Sequence, residues 1–431
     1  MRFDEAVARL DRRQPEDMPE PSLERIRAVA ELLDDPQLTY PSIHVTGTNG
    51  KTTIARAAAE IACAHGVTTG LFTSPHLHTV RERLSLCGVA ISEEEFTEEW
   101  THLEPYLEVV DAQGIGASTY FEVVTALAFL WFADKPVGLG VFEVGMGGSW
   151  DATNLVAGDV AVIGEIALDH PELGSTVREV ATEKAGIIKA GKIVVVREQP
   201  NDALRVIEER ASDADATVLL QGRDWELVAR LPALGGQQFR VEGAHAAYED
   251  LFVPMFGEPA VLNVVAAIVA VESVLGHALD PDATRSAVAA LRIPGRLEVM
   301  DRSPLIVVDG AHNPAGAEAL ARTLAEAFTW TRMHLVLGVS SNKDVDGVVA
   351  ALAPIADVWY AARNESGRSL PAEHVAERIA VGGGRVADLG TVEEALAAAR
   401  DAAAPDDLIL VTGSLYTVAD ARRALGGSRR T

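Results

Sequence analysis

Short runs of β-branched and aliphatic residues alternate along this chain with stretches of about a dozen residues whose apolar positions recur at helical spacing. That alternation predicts parallel α/β construction, because crossover helices must cover both faces of a buried sheet. Ser42–Thr46 (SIHVT) predicts a buried strand. The turn Gly47–Lys51 follows, then a helix over Thr52–His65, with Gly66 where a helix C-terminal glycine is expected. Further strands are predicted at Leu139–Val144, Val160–Glu165 and Ile193–Arg197, and the apolar run Tyr120–Phe132 predicts a largely buried helix. Glu226–Phe256 is less regular and more β-like, and predicts a small sheet.

A second alternating series begins after Pro294-Gly295-Arg296. Its strands are predicted at Leu305–Asp309, His334–Gly338, Val358–Ala361 and Leu408–Thr412. Helices are predicted at Ala315–Ala327, Val345–Leu352, Ala372–Ile379, Val392–Ala402 and Thr417–Leu425. At 431 residues the chain exceeds the size at which single cores usually split. Two α/β domains are therefore expected, 1–293 and 294–431.

Composition narrows the function. Hydrophobic residues make up 48% of the chain, enough for folded cores, and no uninterrupted apolar run reaches the roughly 18 residues of a membrane span. The acidic start, MRFDEAVARLDRRQPEDMPEP, does not read as a signal peptide. A formal net charge of -26 repels phosphate backbones and anionic membranes, so neither nucleic acid nor membrane is an expected partner. Any anionic ligand must then meet a locally positive site. Cys63 and Cys87 belong to no metal cluster and form no disulfide framework. Both are expected as small buried hydrophobes in a cytoplasmic protein.

The strongest chemical element is Val45-Thr46-Gly47-Thr48-Asn49-Gly50-Lys51-Thr52-Thr53 between a strand and a helix. A glycine-rich turn lets backbone N–H groups approach phosphate, and the helix N-terminus adds positive partial charge. Lys51 would meet terminal phosphates and Thr52 would offer its hydroxyl to magnesium. Val45 stands where the strict phosphate-loop pattern has its first glycine, so an ordinary strand-to-helix turn is the bland alternative. Glu143 ends a predicted strand, where α/β ligand sites collect, and reads either as a magnesium ligand or as a solvated charge. Asp309 opens Asp-Gly-Ala-His-Asn-Pro after another strand, which suits a close turn toward a ligand. Read from the residues alone, a lone histidine such as His170 is usually structural and Lys184 reads as a helical surface lysine, while Asn263 reads equally as a helix polar residue.

The loop Gly47-Thr48-Asn49-Gly50-Lys51-Thr52 resembles that of the Mur ligase superfamily, and the chain as a whole resembles its folylpolyglutamate synthase/dihydrofolate synthase branch. The resemblance runs through Thr73-Ser74-Pro75-His76-Leu77, Glu82-Arg83-Leu84, Tyr120-Phe121-Glu122, Glu143–Gly148, Asp151–Asn154, Asp169-His170, Glu183–Ile187, Pro294-Gly295-Arg296, Asp309–Pro314, Lys343-Asp344 and Gly413–Tyr416. It implies a phosphate-loop NTPase-type first domain and a Rossmann-like second one. It further implies an ATP- and Mg2+-dependent monomer that activates a folate-type carboxylate as an acyl phosphate and joins it to L-glutamate.

In that reading Lys51, Glu143, His170 and Lys184 are catalytic, with Lys184 carbamylated. Thr52, Ser74, Glu143, His170 and Lys184 hold metal. ATP meets residues 47–52, Asn263, Arg296, Asp309 and His312. The acid substrate meets Ser74, Pro75, His76, Arg83, Phe121 and Ser414, the last on motif position alone. Ser149-Trp150 stands where the family has Arg-Leu, and the His-Gln that usually precedes Asn263 is missing. A superfamily paralogue ligating a non-folate acid is the alternative.

Overall fold

The computed structural model describes residues 1–15 and 22–426. The chain divides into two compact units. The first takes residues 1–233, 237–254 and 260–291, and the second takes 234–236, 255–259 and 292 onward.

The first unit opens with helices α1 (Phe3–Leu10) and α2 (Glu24–Leu32), then continues β1 (Ser42–Thr46), α3 (Lys51–Ala64), β2 (Thr69–Phe72), β3 (Leu84–Leu86) and β4 (Val89–Ala90). Next come α4 (Glu93–Asp111), α5 (Tyr120–Asp134), β5 (Leu139–Glu143), β6 (Val160–Ile163), α6 (Val177–Ala185), β7 (Ile193–Val196), α7 (Asn201–Asp213) and β8 (Thr217–Leu220). These strands form one sheet in the order β4-β3-β2-β5-β1-β6-β7-β8, parallel from β2 to β8, with the hairpin β3–β4 antiparallel at one edge. The central strands β1 and β5 are buried at every residue, which is why their sequence shows no polar alternation. A three-stranded antiparallel sheet follows, β9 (Glu226–Ala233), β10 (Gly236–Glu242) and β11 (Ala247–Val253), then helices α8 (Glu258–Leu275) and α9 (Pro281–Ala290).

Among the described residues α8 is the one helix long and apolar enough to cross a membrane. Its apolar window is 67% buried inside the protein, as a core helix would be. The interrupting residues are accommodated singly. Glu272, buried in α8, accepts the Tyr248 hydroxyl at 2.7 Å and the backbone N–H of Ala244 at 2.7 Å.

The second unit holds a six-stranded sheet. Its elements are β12 (Glu298–Arg302), β13 (Leu305–Val308), α10 (Pro314–Ala327), β14 (Met333–Leu337), α11 (Val345–Leu352), β15 (Val358–Arg363), α12 (Ala372–Val381), β16 (Val386–Thr391), α13 (Val392–Ala402), β17 (Leu408–Thr412) and α14 (Leu415–Ala424). The order is β12-β13-β17-β14-β15-β16, parallel except for edge strand β12. Helix starts are marked by side chains that accept orphan backbone N–H groups: Asn313 for α10, Asp344 for α11, Thr391 for α13 and Ser414 for α14.

The expected elements are present, with ends shifted by a residue or two. Elements of the first unit that were not anticipated include β2, the 19-residue α4, and the pair α6 and α7. Two expectations are corrected. Cys63 and Cys87 are paired as a disulfide, with Cα atoms 5.7 Å apart. Cys87 is exposed in the β3–β4 turn and Cys63 is half-buried at the end of α3, so neither is a core hydrophobe. The pairing is made by the sheet edge folding beside α3, which a separation of 24 residues does not reveal, and the cytosolic inference from unpaired thiols loses its basis. The predicted strand Val160–Glu165 ends at Ile163. Gly164–Leu168 is loop because Thr48 takes its backbone out of the sheet: Thr48 N–H donates to Glu165 O, and its hydroxyl accepts from Ala167 N–H.

Candidate active site

β1 ends at Thr46 and the chain turns through Gly47 (φ +149°) to Gly50 (φ +84°), which caps α3. Both glycines are required by space as well as by φ. A Cβ on Gly50 would lie 2.2 Å from the Asn263 amide nitrogen, and one on Gly47 would lie 3.1 Å from the Gly164 Cα. Asn263, on α8, thus packs on the loop itself. Its Oδ1 accepts from the guanidinium of buried Arg197 at 2.9 Å, a partner sequence reasoning missed because nothing near Arg197 forms a motif.

Glu143, the last residue of β5, is 1% exposed, which rules out the solvated strand-end reading. Its Oε1 accepts the Thr52 hydroxyl at 2.7 Å and its Oε2 accepts the Ser74 backbone N–H at 3.2 Å. Three residues expected to hold metal are therefore in direct contact. Hydroxyl and carboxylate oxygens are hard donors of the kind magnesium takes, so the set fits that ion.

Lys184, near the end of α6, is 3% exposed rather than a surface lysine. Its Nζ donates to Gly47 O at 2.9 Å, and Lys51 Nζ donates to the same carbonyl at 3.0 Å. Burial first, then the like charge of Lys51, pushes the Lys184 ammonium far below its ordinary range, with Asp169 and Asp151 pulling the other way. Asp169 also sits beside His170, 3.3 Å from its Nε2, which connects the His170 loop to Lys184. Asp151 lies beneath, accepting the backbone N–H groups of Met146 and Thr153, while Thr153 Oγ1 is 2.8 Å from the ring of buried His44. Ser149 is tied inward too: its N–H and hydroxyl both donate to Glu183 O, at 3.0 and 3.1 Å.

The first-unit residues expected to meet the acid, all but Ser414, lie around the end of β5. The Phe121 ring covers Gly145, where a Cβ would fall 2.6 Å from Cζ, and packs on Phe72 at 5.8 Å. The Arg83 guanidinium stands over the Tyr120 ring at 5.2 Å and donates through Nε to His76 Nδ1 at 2.9 Å. Burial, then the Arg83 charge, pushes His76 down to about 4, so it is neutral at pH 7. Ser74 and Pro75 are joined by a cis peptide bond. A cavity of about 610 Å³ opens nearby in the chain, walled in part by Leu23, Arg27, Ile115, Ser149 and Trp150; sequence reasoning missed it because its walls come from three separate segments.

In the second unit Asp309 follows β13. Its Oδ1 accepts from Ala311 N–H and its Oδ2 from Leu297 N–H, both at 2.8 Å. Burial raises its pKa, against the opposing pull first of Arg296 and then of these bonds. Arg296 reaches the same turn, with Nη1 3.1 Å from where a Gly310 Cβ would stand, and His312 Nδ1 lies 2.9 Å from Gly310 O. Arg296, Asp309 and His312 are thus one cluster. Ser414 is buried, and its hydroxyl accepts the Tyr416 N–H at 3.2 Å as a helix cap.

Residues 45–271 match the Mur ligase middle domain and residues 295–415 match the Mur ligase glutamate ligase domain. The dihydrofolate synthase/folylpolyglutamate synthase of Mycobacterium tuberculosis is 40% identical, over 97% of this chain and 92% of its own length. The folylpolyglutamate synthase structure from that organism, complexed with ADP and AMPPCP, superposes with a TM-score of 0.94 at 40% identity, covering 98% of both chains. The E. coli FolC structure in complex with DHPP and ADP gives a TM-score of 0.89 at 30% identity, over 100% of this chain and 99% of the other. The chain belongs to the Mur ligases, and within them to the dihydrofolate synthase/folylpolyglutamate synthase family.

Proposed function

We propose that this protein is an ATP-dependent carbon–nitrogen ligase that adds L-glutamate to a folate-type carboxylate, dihydropteroate or a reduced folate, and releases ADP and phosphate. The observation that carries the reading is the contact of Thr52, Glu143 and Ser74 beside the phosphate loop, with buried Lys184 on the loop carbonyl. A carboxylate resists attack by an amine because resonance and charge oppose it. Transfer of the terminal phosphoryl group of ATP to the carboxylate makes a mixed anhydride whose phosphate can leave. The glutamate amine then attacks the acyl carbon and forms the amide.

Each group has a part in that sequence. The loop N–H groups and Lys51 neutralise the phosphates. Thr52, Ser74, Glu143, His170 and Lys184 would hold magnesium, which when bound screens the charge of the transferring phosphoryl group. A lysine whose burial disfavours the charged form is a better nucleophile for carbon dioxide. Its amine adds to the carbon and loses a proton, and the resulting carbamate is an anionic oxygen donor suited to that ion. Asn263, Arg296, Asp309 and His312 would meet the nucleotide. His76, Arg83, Phe121 and Ser414 would meet the acid, with Pro75 shaping the loop. We infer a cytoplasmic monomer acting on small molecules, with neither nucleic acid nor membrane as partner, since ATP is its phosphoryl donor and its charge of -26 repels polyanions.

The test is phosphate release by purified protein with ATP, magnesium and glutamate, adding dihydropteroate or tetrahydrofolate in separate reactions, with mass spectrometry for the glutamate adduct. Acceptor-dependent release with an adduct is expected. Silence with both acceptors, from protein that binds ATP, would transfer the reading to a non-folate acid, with Ser149 the first position to change.

A further inference from the structure

Apart from the phosphate loop, α4 and α5 carry a second constellation of chemical groups. Glu99 and His102 lie three residues apart on α4 and so share one face of it. Asp134 is the last residue of α5. One ligand atom from each of the three, a carboxylate oxygen or an imidazole nitrogen, lies within 4.8 Å of the other two. Glu99 is 8% exposed and its Oε2 has no hydrogen-bond partner, while His102 and Asp134 are exposed at the rim.

A buried carboxylate oxygen without a donor is unfavourable, and a second carboxylate beside it adds repulsion. Burial, then the charge of Asp134, pushes Glu99 up to about 7. The neighbouring cation does not relieve this by contact, because Lys135 Nζ is bound to Glu95 Oε1 at 2.7 Å. A divalent cation would: it neutralises both carboxylates at once and supplies the missing partner of Oε2.

We propose that Glu99, His102 and Asp134 form a binding site for a divalent transition metal of the zinc class. One imidazole nitrogen and two carboxylate oxygens are a three-ligand set to which water adds the fourth position. The imidazole sets the preference, since magnesium and calcium take oxygen donors throughout whereas imidazole suits zinc, cobalt and nickel. Bound there, the ion would clip the end of α5 to the middle of α4. α5 begins with Tyr120 and Phe121 and leads into β5, which ends at Glu143, so the clip would brace a helix that frames the candidate active site from its far end.

The test uses the full-length chain freed of metal by chelation, then dialysed against zinc with magnesium present, in wild type, His102→Ala and Asp134→Asn. Wild type is expected to retain one more zinc per chain than either variant. Cobalt loading should give visible d–d absorption that H102A lacks, and zinc should raise the wild-type melting midpoint by at least roughly 2 °C while leaving that of H102A in place. Phosphate release with magnesium and ATP should be alike in all three, which separates this site from the catalytic one. Equal zinc content and equal midpoint response in the three proteins would overturn the proposal. So would a wild type without zinc response beside a Glu99→Gln variant that is the more stable, because Glu99 would then be a buried acid and nothing more.

Discussion

The phosphate loop and the Asp309 turn both set a carboxylate at the C-terminal end of a parallel strand, yet they hold it in opposite ways. Glu143 is held by Thr52 and Ser74, which stand 91 and 69 residues away, and Lys184 reaches Gly47 across 137 residues. Asp309 is held by Ala311 and Leu297, 2 and 12 residues away, and His312 and Ser414 bond within their own turns. The first arrangement is assembled by packing of a whole sheet. The second is a local turn that the sequence writes almost unaided. A long-range site concentrates desolvation on its charges, and burial drives the Lys184 ammonium well below its ordinary range.

That contrast predicts where substitutions bite hardest. Lys184→Ala should reduce phosphate release by at least about 10²-fold, the scale of losing a transition-state charge contact, with partial rescue by a small carboxylic acid. Full activity in the variant would break the assignment. Gly50→Ala should come next, since it forces a side chain into φ +84° and against Asn263. We expect about 1–3 kcal/mol of lost stability by denaturant titration, together with weaker ATP binding. Adding Asn263→Ala should recover the part due to collision and leave the part due to φ.

Asp309→Ala should act locally, orphaning the Leu297 and Ala311 N–H groups at about 1–3 kcal/mol, with hydrogen exchange rising at that turn and not in the first unit. Protection lost throughout the chain would erase the distinction between the two regions. The remaining effect appears only in acid and is absent at neutral pH. His76 is neutral when folded, with its pKa lowered from 6.5 to about 4. Its contribution is complete above about pH 6.5 and is lost as pH falls toward 4, because there the unfolded chain binds the extra proton. His76→Asn should flatten the stability profile in that window, and an unchanged slope would remove His76 from the acid-sensitive set.

Much was legible because particular residues carry particular constraints. β1, β17, α11 and α13 stand at the residues their patterns predict, since strands buried on both faces read as unbroken apolar runs and capped helices announce their starts. α4 escaped because its acidic first turns and internal Pro105 blur the helical signature. The readings of Glu143 and Lys184 as solvent-facing charges fail on burial, a quantity no local pattern contains. Arg197 under Asn263, the Cys63–Cys87 disulfide and the Glu99–His102–Asp134 set escaped for a common reason: their members meet only through packing of distant segments.

By itself the sequence determined two α/β series, the glycine turn before α3, the Asp-Gly turn after β13 and the chemical identity of the groups at strand ends. Those are decided by φ preference, side-chain period and hydrogen bonds spanning a few residues. Only the tertiary structure decided which charges lose their water, and so which lysine is disfavoured as a cation and which carboxylates are shared, because desolvation depends on everything packed around a group and on nothing next to it in the chain.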